Sequence, residues 1–206
     1  MTVEFTSEQK KALKKAAEKG MANATKSLSR IIDTKIAMET SLADFLPISE
    51  VPKMVGGPDT LTTGIYMRMM GDIGGTSLLM LSRENSLALV DILNGRECGT
   101  TQILTQDDRS ALGEIGNVLT ASYLAELGDL LKASLYHSPP CIVFDVADSL
   151  ISFVLRGMSS SVNKVLIMHI RFKGKAGEIE GDFMFLLDSS SLTILMNKLD
   201  KQLHKK

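Results

Sequence analysis

Glu114 and Asn117 stand three residues apart in the segment SALGEIGNVLTASYLAELGDLLKASLYHSPP, which opens at Ser110 and reaches Pro140. In a helix, side chains three apart share one face and one reach. A carboxylate accepts charge-assisted hydrogen bonds from a cation. A carboxamide both donates and accepts, so it can hold a water without being a strong base. On a face otherwise made of small residues, such a pair can grip a cationic group and keep a water beside it. That chemistry suits hydrolysis carried out on a docked partner.

The element that must position the pair is a helix over residues 105–127. At about 100° per residue, Leu112, Ile115, Leu119 and Tyr123 fall on one side and form a core stripe. Ser110, Glu114, Asn117 and Ala121 fall on the opposite side, with Gly113 beside them. A glycine inside a helix costs about 1 kcal/mol against alanine, yet this helix carries two. Gly113, next to the polar strip, reads as room for another protein's surface to come close. Gly116, nearer the apolar side, reads as close packing within the chain. Pro139-Pro140 cannot continue a helix, so the helix must end before them.

The rest of the chain bounds what that helix can serve. Its 206 residues, 44% apolar and 23% charged, allow one large or two small domains with a well-buried core. A net charge of -1 offers no basic stripe for nucleic acid. The basic KQLHKK at the end is short and reads as a solvated helix end. MTVEFTSEQKKALKKAAEKG lacks the apolar region of a signal peptide, and apolar stretches such as 78–81 and 165–168 are too short to span a bilayer. A cytoplasmic protein with no membrane contact is expected. Cys98 and Cys141 have no CxxC spacing and read as reduced, partly buried thiols. His137, His169 and His204 lack partners at ligand spacing, so no metal site is expected. Met67-x-Met69-Met70 reads as strand core and Ser159-Ser160-Ser161 as a loop. Gly56-Gly57-Pro58-Asp59 reads as a turn, since it lacks the phosphate-loop spacing. Residues 174–177 (GKAG) read as a hairpin turn between two strands.

The chain also repeats itself. GDIGGTSLLMLSRENSLALVDIL from Gly71 matches GEIEGDFMFLLDSSSLTILMNKL from Gly177, an offset of 106. Both read as glycine turn, apolar strand, short helix start and amphipathic helix. Ser86 lies near the start of the first helix, and Asp188 or Ser189 can cap the second. TSEQKKALKKAAEKGMANATKSL from Thr6 matches TQDDRSALGEIGNVLTASYLAEL from Thr105, an offset of 99. Strands are expected at 34–38, 61–70, 141–146 and 165–172. The expected fold is α/β (α+β): one domain over 1–206 built of two repeats, about 6–98 and 105–200, joined near 94–105. It would be pseudo-two-fold, with long helices packed on a mostly antiparallel sheet.

Ser110-x-x-x-Glu114-x-x-Asn117-x22-Pro140 resembles the signature [Asp or Ser]-x-x-x-Glu-x-x-Asn-x22-Pro of the CheC/CheX/FliY phosphatases of bacterial and archaeal chemotaxis. The likeness extends over nearly the whole chain, through the duplication, GDIxGxxLLxL at 71–81 and ALxEIGNxLxxSYLxxL at 111–127. With no appended domain expected after the second repeat, the chain is most similar to the CheC-like members. The resemblance implies a phosphatase of CheY-type response regulators. The regulator would bring an aspartyl phosphate, its own Mg²⁺ and an active-site lysine. Glu114 would pair with that lysine, Asn117 would insert and orient the attacking water, and Ser110, Gly113 and Ala121 would line the contact. No cofactor of the chain's own is implied. The missing piece is then an in-line water, a matter of positioning.

The family often carries one such site per repeat, and here the chain departs from it. The offset of 99 places Glu114 over Lys15, Asn117 over Glu18, Ser110 over Lys11 and Pro140 over Ser41. A lysine in the docking position would repel the regulator's lysine, so one live site and one lost site are expected. A second implication stays open: an adaptor that binds the receptor deamidase CheD and phosphorylated regulator with little turnover of its own. A flagellar-switch component without turnover fits less well, since such relatives lack the Glu-x-x-Asn pair.

Overall fold

The computed structural model describes residues 5–31, 37–158, 164–174 and 177–204. The chain runs α1 (Ser7–Ile31), β1 (Ala37–Pro47), α2 (Val51–Met54), β2 (Leu61–Gly71), β3 (Gly75–Ser82), α3 (Arg83–Leu93), α4 (Gln106–Leu131), β4 (Leu135–His137), β5 (Cys141–Val146), α5 (Ala147–Arg156), β6 (Lys164–Gly174), β7 (Gly177–Leu186) and α6 (Ser189–Leu203). All seven strands join one antiparallel sheet in the order β1-β6-β7-β3-β2, and the outer edge of β2 is shared by β4 and β5. This is the expected α+β class.

The sheet is covered on both faces, and β3 shows why its sequence is an unbroken apolar run. Side chains alternate between faces along a strand. Leu79 and Leu81 join a core with Leu13, Leu28, Leu112 and Leu119, under the long helices. Leu78 and Met80 point the other way, onto Val51, Leu150 and Val154 of α2 and α5. A strand buried on both sides cannot show polar alternation.

Helix ends follow local chemistry. Ser82 caps α3 by accepting from the Asn85 backbone N–H, so the cap lies four residues before Ser86, which is buried and bonds back to the Arg83 carbonyl. Asp188 caps α6 through the Ser191 N–H. Gly56-Gly57-Pro58-Asp59 forms a turn. The β6–β7 register closes from Lys173↔Glu178 to Gly174↔Gly177, as a hairpin requires.

Several expectations need correction. β1 extends to Pro47, well beyond residue 38, while 34–36 lie outside the described residues. Its segment ETSLADFLP shows little periodicity, and as an edge strand it can end on a proline, which has no N–H to give. Both cysteines are exposed rather than partly buried: Cys98 sits in the α3–α4 connector and Cys141 on edge strand β5. Met67 and Met69 are core, but Met70 is exposed. Apart from these corrections, His169 sits between two carboxylates, with Nδ1 at 2.9 Å from Asp182 and Nε2 at 3.6 Å from Glu180 across the β6–β7 pair. The Ser159-Ser160-Ser161 loop lies outside the described residues.

Candidate functional site

The phase of α4 is set at its first turn. Thr105 caps the helix by accepting from the Asp108 N–H at 3.3 Å, and Asp108 Oδ2 accepts from the Thr105 N–H at 2.9 Å. This reciprocal box satisfies two otherwise unpaired donors. Asp108 is buried, and Arg96 Nη1 donates to its Oδ1 at 2.9 Å. The bond from the Thr105 backbone, followed by those from the Thr105 hydroxyl and Arg96, outweighs burial and holds this carboxyl below the usual carboxylate range. Buried Asp91 of α3 accepts from the backbone N–H groups of Gly99 and Thr101. The connector is therefore tied to both helices, and the residue at which α4 begins is fixed.

Leu112, Ile115, Leu119 and Tyr123 are all buried and hold α4 to the sheet. Full burial of each aliphatic side chain stabilises by roughly 2 kcal/mol. Gly116 sits where a Cβ would meet Ile65 Cγ2 of β2 at 2.6 Å, so its smallness serves packing within the chain. Along its flank α4 lies against α1, where a Cβ on Gly20 would meet the Tyr123 ring and backbone at 3.0–3.2 Å.

With that side committed, Glu114 and Ser110 are exposed and Asn117 is half-buried beside them, with Ala121 exposed on the same strip. Asn117 Nδ2 donates to Glu114 Oε2 at 3.4 Å, a long bond that orients the two side chains loosely. The amide oxygen and the second amide hydrogen remain to hold a water. The Ser110 hydroxyl donates to the Gln106 carbonyl at 3.0 Å, satisfied within its own helix. Sequence and structure thus bring Ser110, Glu114, Asn117 and Ala121 together on one face.

Gly113 belongs beneath that face rather than on it. It is buried, and a Cβ there would stand 3.4 Å from Pro140 Cγ and 3.8 Å from Ile142 Cδ1. The space expected to admit a partner is filled by this chain's own proline. Pro140 is held in place from below. Between β4 and β5 the ladder on β2 breaks at residues 138–140, because proline has no N–H for it. Ser138 bridges the gap: its N–H donates to the Arg68 carbonyl at 2.9 Å, and the Arg68 N–H donates to its hydroxyl at 3.0 Å. The double proline is therefore a break in an edge strand, with Pro140 seated on Gly113.

Two neighbours were not singled out from the sequence. The Arg109 guanidinium lies 5.0 Å from the Phe144 ring centroid, within cation–π range. Phe144 is two residues beyond Ile142, so alternation along β5 was the available signal. On α1, the positions that align with the site through the repeat carry Lys11, Lys15 and Glu18, all exposed. Among the described residues, no group of three or more His, Cys, Asp or Glu side chains could hold a metal ion. No described helix is long and apolar enough to cross a membrane.

No family model matches the chain. Over 154 residues it is 30% identical to the CheY-P phosphatase CheC of Bacillus subtilis, covering 74% of each protein. Its fold is similar to that of FliY from Thermotoga maritima, with a TM-score of 0.77 at 16% identity over 98% of this chain and 100% of that one. The FliM middle domain from H. pylori gives a TM-score of 0.67 at 13% identity over 94% and 99%. A chemotaxis protein CheX from Desulfovibrio desulfuricans gives 0.51 at 15% identity over 83% and 99%. At these identities the three structural likenesses show the fold.

Proposed function

The chain belongs to the CheC family, and we propose that it hydrolyses the aspartyl phosphate of a CheY-type response regulator in the cytoplasm, with Glu114 and Asn117 as the working pair. The observation that carries this reading is the pairing of exposed Glu114 with half-buried Asn117 on a helix whose opposite side is fully committed to the core. Sequence similarity to a relative named a CheY-P phosphatase supports the same reaction.

The substrate is an acyl phosphate, a reactive mixed anhydride. Water oxygen attacks phosphorus, the bond from phosphorus to the carboxyl oxygen breaks, and the products are the aspartate carboxylate and inorganic phosphate. A Mg²⁺ bound to the regulator supplies charge neutralisation on the phosphoryl oxygens. The task left to this chain is placement, and well-oriented groups account for large rate factors without acid or base strength. Asn117 accepts from or donates to the water and aims it. Glu114 pairs with a lysine of the regulator and fixes the angle of approach through a charge-assisted hydrogen bond. Ser110 and Ala121 are small enough for the regulator's surface to reach the pair.

The test is release of inorganic phosphate from a phosphorylated CheY-type receiver, with and without the protein. Acceleration proportional to the protein added supports the reading; decay at the receiver's own rate across the whole range would end it.

A further inference from the structure

We propose that the groove beside the first turn of α4, walled by Leu61, Ile103, Phe144 and Arg109, is a second part of the regulator-docking surface. In this role it recognises an apolar side chain next to a carboxylate on the partner. The inference rests on the phosphatase reading above.

Leu61, Ile103 and Phe144 are 57%, 81% and 42% exposed, and all three line one cavity of about 390 Å³. Large apolar side chains scattered singly over a surface are ordinary, whereas a cluster around a cavity marks a contact site. Two cations line the same groove, Arg83 and Arg109, against one acid, Asp145. Arg83 Nη2 is engaged with the Gln102 carbonyl at 3.0 Å. Arg109 lies over the Phe144 ring. An arginine stacked on an aromatic face keeps its N–H groups for a carboxylate, and Arg and aromatic residues are the usual anchors of interfaces.

The groove is continuous with the catalytic face. Arg109 precedes Ser110 directly and lies five residues, or about 8 Å of helix axis, before Glu114. On the strand side, Pro140 and Ile142 cover Gly113, and Phe144 follows on the same strand. A specific complex covers about 800 Å² on each partner. Two polar side chains among Ser110 and Ala121 cannot supply that area. A receiver seated on Glu114 and Asn117 would extend over the adjoining groove, whose excess of cations suits an anionic, phosphate-bearing partner.

The test is a KM-against-kcat comparison of Ile103→Asp, Phe144→Ala and Arg109→Glu with the wild-type protein and a phosphorylated receiver. It is paired with calorimetric binding to a receiver carrying beryllofluoride on its phosphorylatable aspartate. Ile103 is exposed, so its substitution leaves the core intact, and an unchanged thermal midpoint verifies this. The expected result is KM and Kd raised about ten-fold or more with kcat held within about two-fold. Unchanged KM and Kd in the folded variants would overturn the inference. So would a change of oligomeric state in Ile103→Asp without a change in KM, which would assign the groove to a second copy of the chain. If wild-type protein binds the receiver without hydrolysing it and Ile103→Asp abolishes that binding, the docking surface stands and the hydrolysis reading falls. If wild-type protein neither binds nor hydrolyses, both fall.

Discussion

Pro140 Cγ rests where a Cβ on Gly113 would meet it at 3.4 Å, so the residue before Glu114 is the seat of a proline from the sheet edge. The fixed spacing between the helix pair and the proline thereby acquires a physical meaning. The proline breaks the β2 edge ladder, and the broken segment braces the helix at the level of the site.

The two glycines of α4 should respond in opposite directions. At Gly116, a methyl group would press on buried Ile65 at 2.6 Å and on Met67 at 3.3 Å. Overpacking costs about 1–3 kcal/mol, against a helix-propensity gain of about 1 kcal/mol. Gly116→Ala should be destabilised by up to about 2 kcal/mol in denaturant unfolding. At Gly113, the 3.4 Å approach to Pro140 and 3.8 Å to Ile142 are ordinary van der Waals contacts that leave room for a methyl group. Gly113→Ala should be neutral or more stable by up to about 1 kcal/mol. A loss at Gly113→Ala equal to that at Gly116→Ala would contradict this account of their packing.

Acid should loosen the start of α4 through Asp108. Its folded-state carboxyl is held below the ordinary value, first by the Thr105 backbone bond. The stability this contributes is fully present above the unfolded carboxyl pKa of about 3.9 and is lost as pH falls through the lower, folded value. Asp108→Asn should therefore unfold at a lower temperature at neutral pH, and its stability should fall less steeply below about pH 4 than that of wild type. Parallel acid limbs in the two proteins would remove Asp108 from the account.

The faces of α4 and α1 should differ in their response to charge. On the proposed docking, Glu114→Lys would set like charge against the regulator's lysine and should raise KM about ten-fold or more. Glu18→Ala, on the exposed face of α1 beside Lys15, should leave KM and kcat at wild-type values. A large loss in Glu18→Ala would give the chain a second working face.

The pair Glu114–Asn117 was legible because one helix carries both residues and because Leu112, Ile115, Leu119 and Tyr123 fix its phase. Local chemistry at Asp188, Gly56 and Gly57 was equally readable. The role of Gly113 was not, since its partner is Pro140, 27 residues on and in another element. The double proline correctly required the helix to end before it, at Leu131, but its place between two edge strands was not legible. The exposed cysteines were missed because exposure at a sheet edge depends on strand order, which the residue types do not carry. The clasp of Asp91, Arg96 and Asp108 across the connector likewise depends on how α3 and α4 meet.

The central claim is that Asn117 positions the attacking water and does little else. Its most direct test is single-turnover loss of phosphate from a phosphorylated receiver with wild-type protein and with Asn117→Ala, alongside binding of the receiver to each. The account predicts a rate lower by roughly 10²-fold or more for the variant, with Kd unchanged within about two-fold. Wild-type turnover by Asn117→Ala would contradict it.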